Sequence, residues 1–105
     1  MGDSRCVIRD NGEVIDLSND HKPDVPSEKE RILNSGHMVI KGRVDGSIAV
    51  CRAIGDWEFK DIDKNESQAS LFAVSPIPEV IVHPISPGID YLISACDGIW
   101  DCMTS

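Results

Sequence analysis

The longest apolar run of the chain meets an abrupt polar break in the segment Tyr91-Leu92-Ile93-Ser94-Ala95-Cys96-Asp97-Gly98-Ile99-Trp100-Asp101. The run from Tyr91 to Cys96 predicts a central β-strand, and Ile99-Trp100 suits the start of a short helix. A carboxylate directly after a buried strand is held rigidly, as a hard cation requires of its oxygen ligands. Asp-Gly is also a common turn. On spacing alone, Asp97 is either a turn residue or a metal ligand.

Upstream of this stretch, the pattern predicts a hairpin and a helix. Cys6-Val7-Ile8 and Val14-Ile15 flank Asn11-Gly12, a strong signal for a tight turn because both residues tolerate a positive φ. Residues 27–35 fit a helix, in which Ser27 and Glu30 would form a capping box and a glycine follows the last turn.

Further along, short apolar segments predict more strands. Met38-Val39-Ile40 and Ile48-Ala49-Val50 lie on either side of the turn sequence 44–47, which predicts a second hairpin. Residues 60–70 are polar and non-periodic, so we expect a surface loop there. Val80-Ile81-Val82 lies between prolines and predicts another strand.

Composition excludes several classes of function. The chain has 105 residues and a mass of 11.5 kDa, the size of one domain, and its apolar share of 41% suits a globular core. Eighteen acids against ten bases give a formal charge of -8, which repels nucleic acid and anionic membranes. No C-x-x-C pair occurs among the four cysteines, which we expect to be reduced thiols in a cytosolic or nuclear protein.

Two other segments place acids beside apolar runs. Gly2-Asp3-Ser4-Arg5 precedes the first predicted strand, where Asp3 is either a ligand or a solvated residue of a frayed terminus. The segment 43–56 is either a hairpin with surface charges or part of a site. No phosphate-binding loop, nucleophile elbow or cysteine-phosphatase signature occurs. Any hydrolysis would therefore most simply use metal-activated water.

Seven short motifs occur in an order that resembles one family, the metal-dependent Ser/Thr protein phosphatases of type 2C. Each motif is weak alone, whereas their order and spacing together are highly specific. They are Gly2-Asp3-Ser4-Arg5, Asp20-His21-Lys22-Pro23, Glu28-Lys29-Glu30-Arg31-Ile32, Arg43-Val44-Asp45-Gly46-Ser47-Ile48-Ala49-Val50, Arg52-Ala53-Ile54-Gly55-Asp56, Pro76-Ile77-Pro78-Glu79-Val80 and Ala95-Cys96-Asp97-Gly98-Ile99-Trp100-Asp101.

The resemblance implies an α+β fold, part of an α-β-β-α antiparallel sandwich that is mostly β with a short helix in the flap. It also implies hydrolysis of phosphoserine and phosphothreonine in proteins, by water activated by a pair of Mg²⁺ or Mn²⁺ ions. Asp97 matches a carboxylate of that metal centre. Asp3 and Asp101 match acids associated with a third, weaker metal.

The resemblance also places a flap beside the active site, from about His21 to Arg43, that influences substrate choice. Within it we expect His21, Lys22 and Arg43 to face substrate. His37 and Cys51 stand where the family usually has Gly and Ser, which we interpret as tolerated changes.

The family's early Arg with its acidic pair, its Asp-Gly-His-Gly-Gly segment and its late Asp-Asn motif do not occur in this chain. We therefore expect residues 1–105 to be the middle portion of the family domain. No catalytic residue is assigned within it. Alone, the chain should bind metal weakly or not at all and be nearly inactive.

Half a sandwich would leave apolar sheet faces and strand edges uncovered. We therefore expect a homodimer, with exchange of segments between copies as one route to it. An alternative function is a non-catalytic binding or regulatory module that dimerises or pairs with a full phosphatase.

Overall fold

The computed structural model describes residues 1–60 and 66–105, apart from the side chains of residues 66 and 67. The chain divides into two compact units: unit 1 comprises residues 1–2 and 21–78, and unit 2 comprises residues 3–20 and 79–105. The predicted loop over 60–70 lies partly on 61–65, outside the described residues, and a 3-10 helix spans Glu66–Leu71. Within the described ranges no helix is long and apolar enough to cross a membrane.

Unit 2 is built on a three-stranded antiparallel sheet of β1 (Arg5–Asp10), β2 (Glu13–Asp16) and β5 (Ile89–Ala95). The strand order is β2-β1-β5. The predicted hairpin is confirmed, because Asn11 and Gly12 form its turn with φ of 50° and 84°. Val7 and Ile8 of the central strand are the buried residues of the sheet. A short helix α2 (Asp97–Trp100) follows β5.

Two predictions for unit 2 are wrong. The apolar run at 91–96 forms an edge strand rather than a central one, since β5 pairs only with β1 among the described residues. Its residues Tyr91, Leu92 and Ile93 are 43–55% exposed. The segment 79–88 forms no strand, and Val80 and Val82 are exposed. An apolar run favours an extended backbone, but the rest of the sheet sets how many strands pair with it.

Unit 1 packs helix α1 (Pro26–Asn34) over a small apolar core that includes Ile32, Val44, Cys51, Phe59 and Val74. The predicted helix is confirmed, but its capping box is not. Val25 is the N-cap, the proline ring takes the first helical position, and no side chain caps the end. Gly36 ends the helix at φ 88°, as predicted.

The second hairpin is shifted from its predicted place. Strands β3 (Val39–Ile40) and β4 (Arg43–Val44) pair around Lys41-Gly42, where both residues have positive φ. The predicted turn at 44–47 also forms, with Asp45 and Gly46 at φ 50° and 72°. It closes only a single bridge between Val44 and Ile48, so the predicted strand beyond it is absent.

Candidate functional site

The pairing of β1 with β5 brings two of the predicted metal ligands to one end of the sheet. The last ladder pair at this end is Arg5 with Ala95. Asp3 lies two residues before Arg5, and Asp97 lies two residues after Ala95. Asp3 and Asp97 therefore both lie just beyond the same end of the β1–β5 ladder, Asp3 in a turn and Asp97 at the start of helix α2.

Helix α2 brings the third predicted acid, Asp101, to the same end of the sheet. Asp97 begins the helix, and the backbone N–H of Asp101 donates to the carbonyl of Asp97 at 2.8 Å. Residues four apart on a helix share a face, so the two side chains point to the same side. The carboxylates of Asp97 and Asp101 are exposed, and Asp3 is partly buried.

Trp100 fixes helix α2 to the sheet. Its indole Nε1–H donates to the carbonyl of Arg5 at 3.1 Å and to that of Ala95 at 2.8 Å, which are the two residues of the last ladder pair. The guanidinium of Arg5 also lies 5.5 Å from the centroid of the indole ring. The tryptophan of the motif therefore orients the helix that carries both acids.

A bidentate ion pair holds Arg5 in turn. Its Nε donates to Asp20 Oδ1 at 3.0 Å and its Nη2 to Asp20 Oδ2 at 2.9 Å. The hydrogen bond to Asp20 raises the pKa of Arg5. The second base of unit 2, Arg9, pairs with Asp90 at 3.4 Å. Nine acids against two bases give this unit a formal charge of −7 of the chain's −8.

The three acids have the chemistry of metal ligands but do not form a complete metal site. Carboxylate oxygens are the ligands that Mg²⁺ and Mn²⁺ prefer. No group of three or more His, Cys, Asp or Glu side chains that could hold a metal ion occurs in residues 1–60 and 66–105, the side chains of 66 and 67 aside. The sheet end therefore carries three carboxylates, from Asp3, Asp97 and Asp101, but not a complete metal centre. No reaction step follows from these residues alone.

The three residues predicted to face substrate differ in exposure. His21 is buried, its backbone N–H donates to the carbonyl of Gly2 at 2.8 Å, and its carbonyl accepts from Cys51 Sγ at 2.9 Å. Lys22 is exposed. Arg43 is also exposed and donates from Nη1 to the carbonyl of Ser47 at 2.8 Å. The surface positions of Lys22 and Arg43 suit contact with a substrate, whereas His21 is part of the interior.

Asp45, within the segment 43–56, forms a structural contact with His37. Asp45 Oδ2 lies 2.6 Å from His37 Nδ1, and its Oδ1 accepts from the backbone N–H of Met38 at 2.8 Å. The hydrogen bond from Met38, with that from His37, lowers the pKa of Asp45. These bonds tie the turn at Asp45 to the start of β3. These contacts favour the interpretation of the segment 43–56 as a hairpin.

The most elaborate polar cluster of unit 1 was missed at the sequence level. Glu28 is 2% exposed, and its carboxylate accepts from Arg31 Nη1 at 2.7 Å and from Arg52 Nε at 3.0 Å. Arg31 also donates to the carbonyls of Phe72 and Cys51, at 2.9 and 2.6 Å. This Glu28 cluster joins helix α1 to two backbone segments of its unit.

Opposing effects set the pKa values in the Glu28 cluster. Burial acts to raise the pKa of Glu28, but hydrogen bonds from Arg52, Cys51 and Arg31 outweigh it and lower that pKa to about 2. Burial, with the hydrogen bond to Glu28, raises the pKa of the Cys51 thiol to about 12. Cys51 is therefore an inert thiol at neutral pH. The only sequence signal for the cluster was the i, i+3 spacing of Glu28 and Arg31.

Comparison with known proteins identifies close relatives across the whole chain. The family model described as Protein phosphatase 2C matches residues 1–105. Probable protein phosphatase 2C 60 of Arabidopsis thaliana is 49% identical over 104 residues, which are 99% of this chain and 29% of the relative. Human Protein phosphatase 1B is 47% identical over 104 residues, 99% of this chain and 21% of its own length.

Solved structures show the same likeness. The crystal structure of a serine-threonine phosphatase 2C from Toxoplasma gondii matches with a TM-score of 0.77 at 28% identity, over 99% of this chain and 38% of that one. The structure of a C. elegans sex determining protein matches with a TM-score of 0.80 at 30% identity, over 98% of this chain and 24% of that one. The chain thus spans less than a third of the curated relatives above.

Proposed function

The chain belongs to the protein phosphatase 2C family, and on that premise we propose that the whole protein hydrolyses phosphoserine and phosphothreonine in other proteins. The relatives named protein phosphatase 2C support this assignment. The observation that carries it is that Asp3 and Asp97 lie two residues beyond the same end of the β1–β5 ladder.

We propose that Asp97 contributes to a Mg²⁺ or Mn²⁺ centre, and that Asp3 and Asp101 serve a further, weaker ion. When bound, such ions activate water and offset charge on phosphoryl oxygens. This chain's contribution is to fix helix α2, which begins at Asp97, to the last ladder pair through the indole N–H of Trp100. Ligands outside these 105 residues would complete the centre.

Taken alone, the 105-residue chain should be nearly inactive and bind Mn²⁺ weakly. Three carboxylates that do not converge cannot hold two ions in a fixed geometry. This expectation is checked with the isolated chain and a phosphothreonine peptide in the presence of Mn²⁺. Hydrolysis abolished by Asp97→Ala would instead mean that copies of the chain rebuild a working site.

We further propose that the flap, from about His21 to Arg43, affects substrate choice through its exposed cations Lys22 and Arg43. Both could contact acidic or phosphorylated segments of a substrate. The Glu28 cluster supports this role indirectly, because it fixes the flap's helix α1 to the core of unit 1. His21 would act from the interior, as a packing residue.

We also propose a cytosolic or nuclear location, because Cys6, Cys51, Cys96 and Cys102 are all free thiols.

The alternative function is a non-catalytic module that binds a full phosphatase or another copy of itself. The exposed residues of the edge strand β5 favour a binding role of some kind. The two functions differ in one testable respect: only the phosphatase function requires that residues 1–105 support catalysis inside a complete enzyme.

A chimera tests the phosphatase proposal. In it, the aligned 104 residues of the Arabidopsis thaliana relative are replaced by those of this chain. We expect Mn²⁺-dependent hydrolysis of a phosphothreonine peptide within about tenfold of the intact relative. A chimera that folds but lacks activity would contradict the proposal and favour the binding module.

A further inference from the structure

The turn at Asp45-Gly46 is tied to the start of β3 by three hydrogen-bond contacts within unit 1. The backbone N–H of Asp45 donates to the carbonyl of Met38 at 2.8 Å, and the backbone N–H of Met38 donates to Asp45 Oδ1 at 2.8 Å. The other carboxylate oxygen, Oδ2, lies 2.6 Å from His37 Nδ1. One carboxylate therefore joins the turn to two consecutive residues.

The contact with His37 depends on a proton, because histidine is the side chain that ordinarily changes its charge between pH 5 and pH 8. The protonated imidazole donates a charge-assisted hydrogen bond to the carboxylate, which is roughly twice as strong as a neutral one. The neutral imidazole has a single N–H, which resides on either of two ring nitrogens, and it offers Asp45 no charge. The two side chains are 28% and 39% exposed, so water weakens the ion pair but leaves the imidazole open to proton exchange.

The carboxylate of Asp45 keeps its charge over the same pH range. The hydrogen bond from the Met38 N–H, followed by that from His37, lowers the pKa of Asp45. A carboxylate of this kind contributes stability above its ordinary titration range, which is lost only as pH falls below it. A histidine that gains an anionic partner contributes stability at acid pH, which is lost as pH rises through its titration. Between pH 5.5 and pH 8, the contact therefore weakens through His37.

The end of helix α1 also favours a charged imidazole. The backbone N–H of His37 donates to the carbonyl of Ile32 at 3.2 Å, so the histidine follows the helix's last turn. The negative end of the helix dipole stabilises a cation at this position. The base in the last turn, Arg31, is held in the Glu28 cluster.

Two other cations near His37 have their own partners. Arg43 of β4 donates from Nη1 to the carbonyl of Ser47 at 2.8 Å. The imidazole packs beside the ring of Phe59, with 6.0 Å between the ring centroids, and Phe59 carries no charge. Lys60, the next residue, donates from Nζ to a backbone carbonyl of its own segment. Asp45 is therefore the charged group that lies against the imidazole.

We propose that His37 and Asp45 form a proton-sensitive lock on the Asp45-Gly46 turn. With His37 protonated, the turn is held against the start of β3. As pH rises and His37 loses its proton, the turn opens more often. The lock lies inside unit 1 and does not depend on the phosphatase activity proposed above.

Amide hydrogen exchange of the 105-residue chain, measured by NMR, tests the proposal. The reporters are the amides of Met38 and Asp45, which form the two backbone contacts of the lock. Protection is calculated against the exchange rate of an unstructured chain at the same pH, which removes the direct effect of pH on exchange. We expect protection of both amides to fall about threefold between pH 5.5 and pH 8. The Lys29 amide, which donates to the Val25 carbonyl at the start of α1, should change less than about 1.5-fold.

Matched variants identify the groups responsible. His37→Gln keeps an amide donor that carries no charge, and Asp45→Asn removes the charge with a residue that tolerates the φ of 50° at this position. In each variant, protection of the Met38 amide should change less than about 1.5-fold between the two pH values. His83→Gln alters a histidine of unit 2 and should leave the threefold fall intact. Circular dichroism verifies that each variant is folded.

Three results would overturn the proposal. One is protection at Met38 and Asp45 that does not fall between pH 5.5 and pH 8. Another is a fall that persists in either charge-removing variant. The third is an equal fall at Lys29, which would mean that unit 1 as a whole, and not this turn, responds to pH.

Discussion

Trp100 and Arg5 contact each other in two ways: the indole Nε1–H donates to the Arg5 carbonyl at 3.1 Å, and the Arg5 guanidinium lies 5.5 Å from the indole centroid. The same indole N–H also reaches the carbonyl of Ala95 at 2.8 Å. One side chain thereby joins α2 to both strands at the end of their ladder. The geometry of Asp97 and Asp101 relative to the sheet depends on this junction.

Trp100→Phe tests the junction. It keeps an aromatic ring but removes the donor, leaving two carbonyls without the indole N–H. We expect the free energy of unfolding in urea, followed by circular dichroism, to fall by about 1–2 kcal/mol.

Trp57→Phe is the matched control, because Trp57 is 71% exposed in unit 1. Its replacement should change the free energy of unfolding by less than about 0.5 kcal/mol. Equal losses for the two substitutions would mean that the Trp100 hydrogen bonds contribute nothing particular to stability.

Glu28→Gln tests the buried ion cluster. The substitution leaves Arg31 and Arg52 without their shared carboxylate in a buried setting. We expect a loss of about 3–5 kcal/mol of unfolding free energy, measured in urea at pH 7. Glu30→Gln, on the exposed side of the same helix, should cost less than about 0.5 kcal/mol. A difference of less than about 1 kcal/mol between the two variants would contradict the assigned role of the cluster.

Acid should remove part of the chain's stability through Glu28. Its folded pKa of about 2 lies below its ordinary value of 4.5. The stability it contributes is therefore complete above about pH 5 and is lost as pH falls toward 2, for a total of about 3 kcal/mol. Unfolding free energies of the parent and of Glu28→Gln should converge by about this amount between pH 6 and pH 2. Parallel pH curves for the two proteins would refute the lowered pKa.

The thiols of the chain should differ in their rates of alkylation. Burial and Glu28 raise the pKa of Cys51 to about 12, whereas Cys96 and Cys102 are exposed. With iodoacetamide at pH 8, we expect Cys96 and Cys102 to react at least about tenfold faster than Cys51, as read by mass spectrometry. In urea the rates should become similar. Fast labelling of Cys51 in the folded chain would show that the thiol is not held in the cluster.

Local chemistry was the part of the fold that sequence could predict. Asn11-Gly12 and Gly36 were identified correctly because each needs a positive φ that few residues adopt, so the residue type reveals the conformation. The capping box failed because Pro26 suits the first helical position, which moved the helix start to that residue. Glu28 was not recognised as buried because its partner Arg52 is 24 residues away.

Neighbours in the sheet were the part that sequence could not predict. The apolar runs at 80–82 and 91–96 look alike, yet only the second pairs with a strand. Pairing depends on which segments the rest of the chain delivers, and an apolar run alone does not encode it. Asp3, Asp97 and Asp101 were predicted as metal ligands from motif order. The structure adds that Asp3 and Asp97 lie two residues beyond the same end of the β1–β5 ladder.

Asp97→Asn in the chimera with the Arabidopsis thaliana relative tests whether Asp97 binds a catalytic metal ion. We expect this change to lower Mn²⁺-dependent kcat/KM on a phosphothreonine peptide by about a hundredfold or more, because a metal-binding carboxylate is lost. Asp90→Asn, at an exposed acid of the same unit, should alter kcat/KM less than about twofold. A chimera that keeps its rate and its Mn²⁺ dependence after Asp97→Asn would show that Asp97 is not a ligand of the catalytic metals.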